Sequence, residues 1–149
     1  MKYLLLLVLI IAVSCNEDEE PSPNEPGVSI SQSQIPIDGT FEPRGSDPFR
    51  INSVEVENQN LLVEVSYGGG CKVHDFELIW PGVITLIFPP DFGVVLTHDA
   101  NEDLCEAFLT DTLVFDISDN PLGLSEEAIS AMRISVINDS DNSNVVSNR

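Results

Sequence analysis

From Phe49 to Asn138 the chain repeats one pattern, short runs in which apolar and polar residues alternate, separated by turn-forming residues. A period of two puts every second side chain on one face of an extended strand, so each run covers one side of an apolar interior. Leu61, Val63, Val65 and Tyr67 share a face against Leu62, Glu64 and Ser66; with Ser53–Glu57 ahead of them and Asn58-Gln59-Asn60 between, they predict a hairpin. Phe76, Leu78 and Trp80 alternate with Asp75 and Glu77, while Leu109, Leu113, Phe115 and Ile117 oppose Thr110, Thr112 and Asp116 in one long strand or two short ones. Val94–His98 and Met132–Ile137 read as further strands. Val83–Phe88, nearly all apolar and bounded by Pro81-Gly82 and Pro89-Pro90-Asp91, suits a strand covered on both faces.

A single helical candidate precedes the last of these strands, with Ser125 as cap, Glu126 and Glu127 where the helix dipole favours them, and Ala128, Ile129 and Met132 following. The pattern predicts an all-β domain over residues 49–138, an antiparallel β-sandwich (Ig-like or an open barrel) of about seven short strands with one short helix. Residues 139–149 read as a polar tail, expected to fray.

The N-terminus sets the compartment. Leu4 to Val13 carries no charge, and it is too short for the roughly 20 residues of a membrane span but suits the apolar core of a secretory signal peptide, residues 1–14. The sequence Ala12-Val13-Ser14-Cys15 resembles a bacterial lipobox, although Ala12 stands where Leu is usual, and implies lipidation of Cys15. The alternative is a buried first strand with an ordinary cysteine, but no turn follows to fold it back. Asn16-Glu17-Asp18-Glu19-Glu20, followed by Pro21, Pro23 and Pro26, opens a tether over 15–48, with at most one edge strand within Val28–Ile37. The acidic cluster also resembles the export signal of Bacteroidetes-type lipoproteins carried to the outer face of the outer membrane; a periplasm-facing anchor is the alternative.

With 6 Lys+Arg against 25 Asp+Glu, a formal charge of −19, the chain is repelled by phosphate backbones and anionic lipid, which excludes nucleic acid as a partner. The same charge also keeps a tethered domain soluble. Once Cys15 is acylated, Cys71 and Cys105 remain, and in an oxidising compartment they are expected to form a disulfide.

The segments Gly69-Gly70-Cys71-Lys72-Val73-His74-Asp75-Phe76-Glu77-Leu78 and Leu96-Thr97-His98-Asp99-Ala100-Asn101-Glu102-Asp103-Leu104-Cys105-Glu106-Ala107 resemble matching segments of small uncharacterised lipoproteins of the Bacteroidetes type, over about residues 67–117. The resemblance implies a shared domain and a Cys71–Cys105 pairing, and no chemistry.

Two metal readings compete with that disulfide. Cys71, His74, His98 and Cys105 have the softness of a zinc ligand set. Asp99, Asn101 and Asp103 place side-chain oxygens at alternate positions, as calcium requires, with His98, Glu102 or Glu106 able to assist. Leu104 and Thr110 stand where the helical calcium loop needs Gly and Glu, so only an irregular site fits. The chain has no G-x-S-x-G elbow, no H-E-x-x-H helix and no phosphate-binding glycine loop; Gly68-Gly69-Gly70 reads as a strand break. His74-Asp75 and His98-Asp99 are neighbours in sequence, but adjacent strand residues face opposite ways, so neither is a ready acid–base couple. Tyr67, Trp80 and Phe92 suit either the core or an aromatic platform for a sugar or peptide. The expectation is a non-enzymatic, membrane-tethered module binding a protein or glycan partner and needing no cofactor; a calcium- or zinc-dependent protein using His74 and the His98–Glu106 loop is the alternative.

Overall fold

The alternating runs form two facing sheets, because each strand has one apolar face and only a second sheet can cover it. The structure, a computed structural model, describes residues 25–32, 44–80, 91–120 and 123–149. Residues 1–14, Cys15 with its acidic run, and the strand expected over Val83–Phe88 with its flanking prolines and glycine lie outside the described residues.

In chain order the elements are β1 (Gly27–Gln32), β2 (Phe49–Glu57), β3 (Asn60–Gly69), β4 (Asp75–Trp80), β5 (Asp91–Asp99), β6 (Ala107–Asp116), α1 (Glu126–Ala131), β7 (Arg133–Asn138) and β8 (Val145–Ser147). The smaller sheet runs β2-β3-β6 and is antiparallel throughout. The larger runs β1-β4-β5-β7-β8, and in it β1 lies parallel to β4 and β5 parallel to β7. Both parallel pairs arise where the chain leaves the larger sheet, passes through the smaller one and returns in its original direction.

The expected hairpin joins β2 to β3 through Asn58-Gln59, with Asn58 at positive φ, a conformation asparagine tolerates. Residues 107–116 form one long strand. Leu61, Val63, Val65 and Tyr67 of β3 meet Phe76, Leu78 and Trp80 of β4 and Phe92, Val94 and Leu96 of β5 in a single core. The aromatic residues weighed as a platform are core residues, and Trp80 tilts against Phe92 at 4.7 Å. Helix α1 is capped by Ser125, whose side chain accepts the Ala128 N–H, and buries Ile129 against the far end of this core.

Both flanks of the alternating region contribute strands. β1, the one edge strand allowed within the segment expected to be a tether, pairs with β4 and so belongs to the sandwich. The tail expected to fray carries β8, and its polar residues close the sandwich: the Asn144 side chain accepts the Ile51 N–H at 2.7 Å and donates to the Ile51 carbonyl at 3.2 Å, while Asn138, fully buried, donates to the Phe49 carbonyl. These amide groups stand in for backbone pairing between β2 and the end of the larger sheet.

Candidate functional site

At the end of the sandwich where β3 passes to β4 and β5 to β6, two loops meet. Cys71 and Cys105 are joined by a disulfide with their Cα atoms 5.9 Å apart, spanning 34 residues of sequence. Beneath it, Asp103 accepts three backbone N–H groups, from Cys105 at 2.9 Å, Cys71 at 2.8 Å and Lys72 at 3.0 Å. These bonds, with His74 beyond them, hold the Asp103 carboxyl well below the usual carboxylate range.

His74 and His98 are nearly sealed from solvent, at 2% and 4% exposure. The β4–β5 pairing sets Phe76 opposite His98, and the rings of His74 and His98 stack with centroids 5.1 Å apart. His74 Nδ1 lies 2.8 Å from His98 Nε2, His74 Nε2 lies 3.2 Å from Asp103 Oδ2, and His98 Nδ1 lies 3.3 Å from the Asp47 carbonyl. The result is a chain from a carboxylate through two imidazoles to a carbonyl. Three hydrogen bonds along it need three N–H protons, one more than two neutral rings carry, so the pair closes all three only when it holds one positive charge opposite Asp103. Burial, and secondarily the neighbouring His74, lower the His98 pKa, which opposes a second charge. Tyr67 covers both rings, and its hydroxyl donates to Asp111; burial and that carboxylate push the phenol well above its ordinary value.

The glycine run before Cys71 is part of this arrangement. Gly69 has a positive φ of 153°, and a Cβ there would lie 2.4 Å from His74 Nε2. Glycine is required for the backbone to pass the imidazole, so the strand break has a packing purpose.

Of the residues singled out in the sequence, the fold brings Cys71, His74, His98, Cys105 and Asp103 to one place. The Cys71 and Cys105 sulfurs are bonded to each other, and the imidazole nitrogens face hydrogen-bond partners. Asp99, Asn101 and Asp103 point to different tasks: Asp99 accepts the Asn101 N–H, the Asn101 amide donates to the Val73 carbonyl and to Asp75, and Asp103 serves the backbone. Among the described residues, the only grouping of His, Cys, Asp or Glu ligand atoms close enough to share an ion is Cys71, Asp103 and Cys105, which contains the disulfide. Reading each histidine against its sequence neighbour hid the contact between them; the cross-strand register is what creates it. Cys15 lies outside the described residues.

No family model matches the sequence. No curated protein matches it either. Among solved structures the chain is similar to a "Putative TOXIN related protein" from Parabacteroides distasonis (16% identity, 81% of this chain and 58% of that one, TM-score 0.47). It is also similar to a protein of unknown function from Bacteroides vulgatus (12% identity, 76% and 50%, TM-score 0.43). A third, named as a putative lipoprotein from Bacteroides fragilis, shares 8% identity over 83% of this chain and 68% of that one, with a TM-score of 0.44. The chain thus spans 58% and 50% of the length of the first two.

Proposed function

We propose that this chain is an exported lipoprotein, held at the outer membrane through an acylated Cys15, whose sandwich is a non-enzymatic binding module for a protein or glycan at the cell surface. The lipobox-like Ala12-Val13-Ser14-Cys15 and the acidic run after it support the anchor and its address. The observation that carries the non-enzymatic reading is the closure of the two imidazoles. A general base must reach a proton on its substrate, whereas His74 and His98 are buried, aimed at each other and tied at both ends. Asp103, the third titratable group of the chain, is occupied by backbone N–H donors.

Recognition falls to the surface. An open hollow of about 620 Å³ lies between residues 44–47 and the outer face of β1, β4 and β5, where Ser29, Ser46, Asp75, Glu77 and Thr97 offer hydroxyls and carboxylates. Such groups suit the hydroxyls of a glycan or the N–H groups of a peptide. Two experiments test the proposal. Cys15→Ala should release the protein from membranes, and continued partition with lipid would remove the anchor. Glycan and peptide arrays probed with the mature chain should give binding that Glu77→Gln weakens; binding indifferent to Glu77 would move the site elsewhere.

A further inference from the structure

Resting on that anchor, we infer that the disulfide end of the sandwich is the face that lies on the membrane, and that Leu104 and Phe108 dock into uncharged phospholipid. The first observation is where the chain enters the fold. The Gly27 N–H donates to the His74 carbonyl at 2.8 Å, and Gly27 pairs with Asp75, so the tether joins the sandwich beside the loops that the disulfide ties together. From Cys15 to Glu25 the chain spans at most about 36 Å even when fully extended. The opposite end, with Trp80 and α1, stands farther from the acyl chains by about a strand length, roughly 30 Å.

The second observation is independent of the tether. Leu104 is 91% exposed and Phe108 78% exposed, and both belong to the disulfide end. Leu104 sits between Asp103, fixed by three backbone N–H groups, and Cys105, fixed by its sulfur, while Asn101 and Glu102 turn the loop through positive φ. The two best-anchored residues of the loop therefore hold this leucine out in water. Phe108 lies on the outer face of β6 opposite Gly68, which has no side chain to cover it. An apolar pair held out in this way gains by entering a lipid interface, and the tether keeps that interface within reach. The acidity of the chain argues for lipid without net negative charge.

The test uses the full acylated chain in phosphatidylcholine vesicles with brominated acyl chains, which quench an indole that reaches them. Leu104→Trp and Phe108→Trp each add one indole at the disulfide end, and Ser130→Trp adds one on the exposed side of α1; the parent chain gives the Trp80 background. The expected result is a blue shift and loss of most of the added emission for Leu104→Trp and Phe108→Trp, with the Ser130→Trp emission retained. Acylation of Cys15 is read separately by mass and flotation. If the chain is acylated and floats but the indoles at positions 104 and 108 stay bright, or quench no more than the one at 130, the docking face is wrong and the anchor stands. If Cys15 carries no lipid, the anchor and the docking fall together.

Discussion

Two buried aspartates organise the same end of this sandwich in different ways. Asp103 gathers the backbone N–H groups of Cys71, Lys72 and Cys105 around a covalent cross-link. Asp139, 1% exposed, accepts the N–H groups of Arg44 and Ser46 with no cross-link nearby, and so straps residues 44–47 against the end of β5, where Ser46 Oγ accepts the His98 N–H and Asp47 accepts that of Ala100. Both carboxylates do work that water would otherwise do for a loop's N–H groups. The difference lies in what stands behind them. The Asp103 loops stay joined in the unfolded chain, whereas the Asp139 strap exists only when folded, so the two should fail differently.

The largest effect should come from the cross-link. Closing a loop of 34 residues removes unfolded-state entropy, and Cys71→Ser with Cys105→Ser is expected to lower stability by about 3–4 kcal/mol, read from denaturant melts. Without reductant, neither cysteine should react with an alkylating agent; a free thiol at either would overturn the pairing. Next comes Asp139→Ala, expected to cost about 1–3 kcal/mol by leaving N–H groups unmet, with faster amide exchange at Arg44 and Ser46 while the disulfide loops keep their protection. Equal loss of protection in both regions would show that they are one cooperative unit.

The two regions also differ in how legible they were. Alternation located Leu61–Tyr67, Phe76–Trp80 and Leu109–Phe115, and Ser125 marked the helix, because in each case the local pattern and the burial agree. Cysteines are few, so Cys71 and Cys105 stood out once the N-terminus was read as an export signal. Asp103 stood out only as a candidate calcium ligand and Asp139 not at all among 25 acidic residues, since what makes a carboxylate a backbone acceptor is the set of N–H groups aimed at it, a tertiary property. For the same reason residues 139–149 read as a polar tail, although Asp139 and Asn144 within them close the sandwich. β1 was legible only as one possible edge strand within Val28–Ile37 and β8 is too short to show a period; both are strands because β4 and β7 offer them an edge.

Acid should separate the imidazoles from Asp103 in two stages, a smaller effect than either substitution. Burial first, and His74 second, lower the His98 pKa, so as pH falls below about 6.5 the unfolded chain takes up that proton before the folded one and stability declines. Asp103 has a folded pKa below the carboxylate range, so its contribution is intact above about 4 and is lost only as pH falls toward the folded value. Melting temperatures from pH 7.5 to 2 should show an early decline that His98→Gln removes and a later one that it leaves. An early decline unchanged in His98→Gln would place its source outside the imidazole pair.

The smallest expected effect is that of calcium, and it bears on what Asp103 is for. A cation at Asp99, Asn101 and Asp103 would have to turn the Asn101 amide away from Asp75 and compete with the N–H groups of Cys71, Lys72 and Cys105 for the Asp103 oxygens. Those donors are held by the disulfide and are not free to leave. Melting temperature should therefore be the same with millimolar calcium and with chelator. Ligand at a hundredfold excess over its dissociation constant would add about 2.7 kcal/mol, an upward shift of several degrees in a domain of this size. Such a shift, reversed by chelator and abolished by Asp103→Asn, would mean that the loop rearranges around an ion and that the backbone contacts of Asp103 belong to its metal-free state. A flat response would leave Asp103 as the partner of Asp139, a carboxylate whose counter-charge is the peptide backbone.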